Sequence, residues 1–212
     1  MRMTMLPRAF MKIAGPLAAL AAVVGLAACY LPVRFDAEIE VDRSGYYSMI
    51  FDGYLAYIPL YMDLAEKKIT PAEEQRQVAQ IQDDLTRDAA VTESKYYKQG
   101  IFKVHWAKKD DLMRYNMVTF FRRNEAILTL KYVKEKNTIV MSAGGMSTSV
   151  RQQIADAGLN VTGELRLITD AKVLGQNATE VRDVAGKPGK KMYIWRIADI
   201  NSPSPRLEMQ PG

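Results

Sequence analysis

The stretch VRFDAEIEVD, residues 33–42, alternates without a break. Phe35, Ala37, Ile39 and Val41 are apolar, and Arg34, Asp36, Glu38 and Glu40 between them are charged. A strand sends successive side chains to opposite faces, so this period of two predicts a half-buried strand with one wet face. Arg43, Ser44 and Gly45 supply a turn. Residues 46–57 then read as a second strand, and the two together as a hairpin. The rest of the chain must cover the dry face of that hairpin.

Downstream, KKITPAEEQRQVAQIQDDL carries the start signals of a helix. Thr70 suits the cap, Pro71 the first helical position, and Glu73 completes a capping box. Val78, Ile81, Leu85 and Ala89 follow at helical spacing, which predicts an amphipathic helix over about 71–90. Strand patterns return at 94–97 and 101–106, joined by a turn at Lys98-Gln99-Gly100. Three more are expected at 117–122, 126–133 and 138–142, with turns at Arg123-Asn124 and Lys136-Asn137. Gly144 and Gly145 break the run. Ser149 and Gln152 suggest a second cap, and Val150, Ile154 and Ala157 a short helix ended by Gly158. Strands follow at 159–169 and 191–198, separated by a polar loop with Gly186 and Gly189. Residues 201–212 are proline-rich and are expected to fray. The fold class is α+β: a twisted, mostly antiparallel sheet packed with one long and one short helix. Residues 33–200 read as a single domain, with a subdivision near 144 left open.

The chain begins with Arg2, Arg8 and Lys12, has no acid before Asp36, and carries no charge from Ile13 to Leu31. That is the pattern of a secretory signal. Leu26-Ala27-Ala28-Cys29 resembles a bacterial lipobox, which implies cleavage between Ala28 and Cys29 and acylation of the Cys29 thiol. Residues 1–28 are then a signal peptide, and 29–32 an acylated anchor and linker. Two rival readings stand: an uncleaved membrane helix, made poor by Gly15 and Pro16, and an ordinary signal with an incidental cysteine. All three place the domain outside the cytoplasm. Tyr30, where an aspartate would favour inner-membrane retention, points to the periplasmic face of the outer membrane in a two-membrane cell.

The formal charge of +5 comes from 29 basic and 24 acidic residues. Removing Arg2, Arg8 and Lys12 brings the mature chain close to balance, so no nucleic-acid partner is expected. Cys29 is the only cysteine. No intrachain disulfide can staple the domain, which must rely on its core.

Catalytic inventory is thin. His105 is the only histidine and sits mid-strand, where a solvent-face or packing role is expected. One histidine and one acylated cysteine cannot supply the usual metal-ligand sets. Asp83-Asp84 read as a solvated helix face, and Asp110-Asp111 as a cap or turn. Gly144-Gly145 match no Walker or dinucleotide motif. Hence no catalytic residue, no metal and no cofactor is expected. The tyrosines are more suggestive: Tyr46, Tyr47, Tyr54, Tyr57 and Tyr61 crowd one hairpin, Tyr96 and Tyr97 another. Aromatics with a polar end line amphiphile pockets, which makes Tyr47, Phe51, Tyr57 and Tyr97 candidate lining residues. Core packing and strand propensity explain the same residues equally simply.

GELRLITDAKVLGQNATEVRDVAGKPGKKMYIWRI, residues 163–197, resembles the C-terminal signature of LppM-like bacterial lipoproteins, a family of largely unknown function. Asp170-Ala171 stand where members often show Pro-Gly. The resemblance implies an envelope-anchored domain with a helix on a curved sheet. In some such domains the groove between them holds lipid. It implies no catalytic residue; Asn177 and Trp195 are its fold markers, Asn177 suited to a turn and Trp195 to anchoring a strand. The expected function is a non-enzymatic envelope lipoprotein that meets the membrane through Cys29 and binds an amphiphile or an envelope protein. The alternative is an assembly scaffold without a ligand pocket.

Overall fold

Strand β1 (Tyr30–Val41) pairs antiparallel with β2 (Tyr46–Tyr57), Ala37 opposite Phe51 and Ile39 opposite Met49. The turn between them is set by Asp42, whose carboxylate accepts from the Ser44 and Tyr46 amides. The computed structural model describes residues 30–121 and 127–212. Residues 1–29, with the cleavage site at Ala28 and Cys29, lie outside the described residues, as do the Arg123-Asn124 turn and the first residue of the strand expected from 126.

Helix α1 (Ile58–Ala65) begins directly where β2 ends, with Pro59 in its first turn. Sequence patterning carries no sign of it, because IPLYMDLA has no clean period. Helix α2 (Pro71–Thr86) starts at the expected capping box: Thr70 accepts from the Glu73 amide, and the Glu73 carboxylate accepts from the Thr70 amide. It ends short of 90, where Asp88 accepts from the Ala90 amide and the Trp106 indole N–H. The hairpin of β3 (Val91–Lys98) and β4 (Ile101–Asp111) turns through Gln99 and Gly100, both at positive φ. Asp111 caps α3 (Leu112–Tyr115). Next come β5 (Met117–Thr119), β6 (Thr129–Val133) and β7 (Thr138–Ser142), then α4 (Thr148–Asp156), capped by Ser147 and followed by Gly158 at φ +82. Strands β8 (Thr162–Thr169), β9 (Lys172–Gln176), β10 (Glu180–Asp183), β11 (Lys191–Ile197) and β12 (Arg206–Gln210) complete the chain.

Twelve strands form two sheets among the described residues. The first has the order β10-β11-β8-β1-β2-β4-β3, the second β5-β6-β7-β12-β9. Among the described residues only β1 and β8 pair in parallel. The class is α+β, but the sheets dominate. Four helices take part, in place of one long and one short helix on a single sheet. Period-two patterning identifies strands and is silent on whether two groups of strands pair or stack. The tail departs further from expectation. Residues 206–210 form a central strand of the second sheet, between β7 and β9, with Leu207 and Met209 buried. Residues 172–183, read as part of a polar loop, contribute two strands.

One core unites the layers. Ile39, Met49, Phe51, Leu167 and Trp195 of the first sheet share it with Leu130, Met141, Leu207 and Met209 of the second, and α2 adds Val78, Ile81 and Leu85. A second cluster joins Leu31, Ala56 and Ile58 to Ile154, Leu159 and Ile200 at the Tyr30 end of the hairpin. On the wet face, Arg166 of β8 bonds Glu38 at 3.1 Å, Glu164 at 2.9 Å and the Asp36 carboxylate. Asp170, at the end of β8, accepts from the Arg43 amide and guanidinium. That pair ties the end of β8 to the first turn.

Tyr96 donates its hydroxyl to the Glu74 carboxylate, fastening α2 to β3. Burial, then that bond, push its pKa up to about 12. The folded state therefore favours the protonated phenol. Its contribution is complete below the unfolded value of about 10 and is lost as pH rises toward 12. In an alkaline unfolding series, the wild type should lose stability across that window, and Tyr96→Phe should lose less of it. Identical pH profiles would contradict this assignment.

Candidate functional site

Strand β8 pairs with β1 from Arg34, opposite Thr162, to Val41, opposite Thr169. Leu31 and Pro32 therefore have no partner on β8, and the register shifts between Pro32 and Arg34. Pro32 lacks an N–H and so presents no donor at that edge. The gap is an apolar cavity of about 120 Å³ between the two sheets.

Its floor follows from strand register. Phe35 lies opposite Gly53 on one neighbour and Gly163 on the other. A Cβ at Gly163 would stand 2.7 Å from the Phe35 ring, and one at Gly53 would stand 2.5 Å from the Arg34 carbonyl oxygen. Both glycines are needed for this close approach. Phe35 stacks on Phe51 at 5.8 Å, and Phe51 meets Phe120 edge-on at 5.9 Å. Leu165 and Ile197 close one wall, and Leu128 of the β5–β6 connection another. The rim is the loop 199–205, where Asp199, Ser202 and Ser204 stand beside Pro203 and Pro205.

Asn177 fixes that rim. Its Oδ1 accepts from the Trp195 indole N–H and the Arg206 amide, both at 2.8 Å, and its Nδ2 donates to the Ser204 carbonyl at 2.9 Å. The two fold markers are thus bonded to each other. Asn177, outside the positive-φ region, is a polar junction between Trp195, Ser204 and Arg206. Trp195 is buried on β11, the penultimate strand.

The four candidate lining residues do not meet. Phe51 is at the cavity floor. Tyr47 is buried toward the opposite end of β2, where burial first and Asp110 second push its pKa up to about 12. Tyr57 packs on Tyr30 at 5.2 Å. Tyr97 lies exposed against Tyr54 on the wet face. Phe35, a cavity residue that sequence reasoning missed, is set between Gly53 and Gly163 only by register. His105 faces Asp52 at 3.2 Å on the wet side. Among the described residues no group of three or more His, Cys, Asp or Glu side chains is placed to hold a metal ion. No described helix is long and apolar enough to cross a membrane.

No family profile matches the chain, and no curated protein matches it. Among the solved structures similar to this chain is the NMR structure of the folded domain of Mycobacterium tuberculosis LppM, at 13% identity and TM-score 0.37, covering 84% of this chain and 88% of that one.

What the cavity can do follows from its walls. Burying a methylene there stabilises a complex by about 0.8 kcal/mol. The apolar walls suit an apolar group, with the polar rim at the mouth.

Proposed function

We propose that this chain is a non-enzymatic, membrane-anchored envelope lipoprotein whose domain binds an amphiphile by the end of one acyl chain. The observation that carries the reading is the apolar cavity with an aromatic floor and a polar rim. Its position supports the anchor as well: Leu31 and Pro32, at its edge, follow Cys29 by two and three residues. Acylation of Cys29 would hold the domain at a bilayer, and the rim polar groups would stay wet around the ligand headgroup.

Ile197 tests this directly. It is half-buried, opposite Gly163, and lines the cavity. Ile197→Trp adds volume at a partly open site, so the stability cost should stay near 1 kcal/mol. A single-chain fluorescent fatty acid should bind the wild-type protein with enhanced emission, and the variant at least about tenfold more weakly, the equivalent of ~1.4 kcal/mol. Equal binding by both, or none by the wild type, would overturn the reading.

A scaffold role is the second reading, favoured by the edge strands of the second sheet. Leu174 on β9 and Met117 on β5 are exposed there, at 48% and 43%. It predicts crosslinks from β9 or β5 to an envelope protein and an empty cavity.

A further inference from the structure

The wet face of the first sheet is sorted by charge along its strands. One row crosses four strands in register: Arg34 on β1, Tyr54 on β2, Lys103 on β4 and Lys95 on β3. The next row on that face holds Asp36, Asp52, His105 and Glu93. Asp36 is held by Arg166 and Asp52 faces His105. In the basic row, the Arg34 guanidinium lies 4.5 Å over the Tyr54 ring. Tyr97 packs edge-on against Tyr54 at 5.4 Å, and the Lys98 ammonium lies 5.3 Å from the Tyr97 ring centre. Tyr97 is 57% exposed. Among the described residues, the ion pairs of this face go to Arg166, Lys187, Lys190, Arg196 and His105; Arg34, Lys95, Lys98 and Lys103 have none.

We propose that this tyrosine-studded basic row is a docking face for an anionic bilayer surface. Four cations without protein counter-charges complement lipid phosphates. Two tyrosines at the same place suit the membrane interface, where rings with one polar end concentrate. The acidic row beyond them would be repelled, so the face has a defined orientation. The distance also fits: Arg34 follows Tyr30 by four strand residues, about 13 Å. This last point rests on the anchor reading of Cys29; the charge and ring geometry stand without it. An acyl anchor and a basic patch together give the two signals that stable attachment requires.

The test is amine footprinting of the full-length protein purified from membranes and placed in nanodiscs. One set is phosphatidylcholine alone and the other contains phosphatidylglycerol at about a third. Acetylation of Lys95, Lys98 and Lys103 should slow about fivefold in the anionic discs, the equivalent of ~1 kcal/mol per basic side chain. Lys134 and Lys136, exposed in the β6–β7 turn, should be unchanged. High salt should erase the protection. Equal rates in both discs would overturn the proposal. So would protection that survives high salt, or equal protection in neutral discs by soluble polyphosphate, which would make the partner a free polyanion. An unmodified intact mass would remove the acyl anchor alone. Footprinting the same protein with added vesicles would still decide the docking face.

Discussion

A chain cut after Pro205 should fail to fold. The cut removes β12, which lies between β7 and β9 at the centre of the second sheet and is hydrogen-bonded on both sides. Leu207 sits opposite Met141, and Met209 opposite Ile139; both side chains are almost wholly buried. Deleting a buried Leu or Met side chain costs about 2–5 kcal/mol each. Two of them, with two ladders lost, match a typical domain stability of about 5–15 kcal/mol. The Arg206 amide also leaves Asn177, so the polar junction under Trp195 opens. Circular dichroism and limited proteolysis check this: the truncated chain should show no cooperative melt and rapid cleavage. A chain cut after Gln210 keeps the whole strand and should fold, losing the buried Pro211 and the bond from the Gly212 amide to the Arg43 carbonyl. A cooperative melt within a few degrees of wild type after the first cut would mean that the tail is dispensable.

Phe51→Ala should lower stability by about 3–5 kcal/mol, the range for a buried phenylalanine emptied to alanine. Phe51 is 1% exposed and joins the layers at their middle. It stacks on Phe35 and meets Phe120 and Phe121 edge-on, the last at 5.1 Å. Relaxation into the void is hindered, because Phe35 is held between Gly53 and Gly163. Denaturant titration measures the loss; an unchanged slope with a lower midpoint places it in the folded state. Phe51→Leu keeps most of the volume and should cost less than half as much. A loss under about 1 kcal/mol for the alanine variant would contradict the shared core.

The hairpin was legible because residues 33–42 alternate without exception, and one buried face enforces the register. Helix α2 was legible because Thr70, Pro71 and Glu73 each have a local reason to start a helix. The second sheet was not. Strands β6, β7 and β12 carry the same period as β1, and nothing in that period says which strand neighbours which. The tail misled because Pro203 and Pro205 look like a fraying end, whereas they shape the cavity rim just before a buried strand. The cavity was legible only in part. Phe51 was singled out for its aromatic ring, but Phe35 gains its role from two glycines 18 and 128 positions away in sequence. Asn177 and Trp195 were recognisable as a pair by resemblance, and their direct hydrogen bond supplies the physical reason they occur together.

Native mass spectrometry of the full-length protein purified from membranes, alongside Ile197→Trp, tests the central claim most directly. The account predicts a wild-type mass equal to residues 29–212 plus the acyl groups on Cys29, with a non-covalent single-chain amphiphile adduct that the variant lacks. Wild-type protein free of any adduct, or an adduct undiminished in Ile197→Trp, would contradict it.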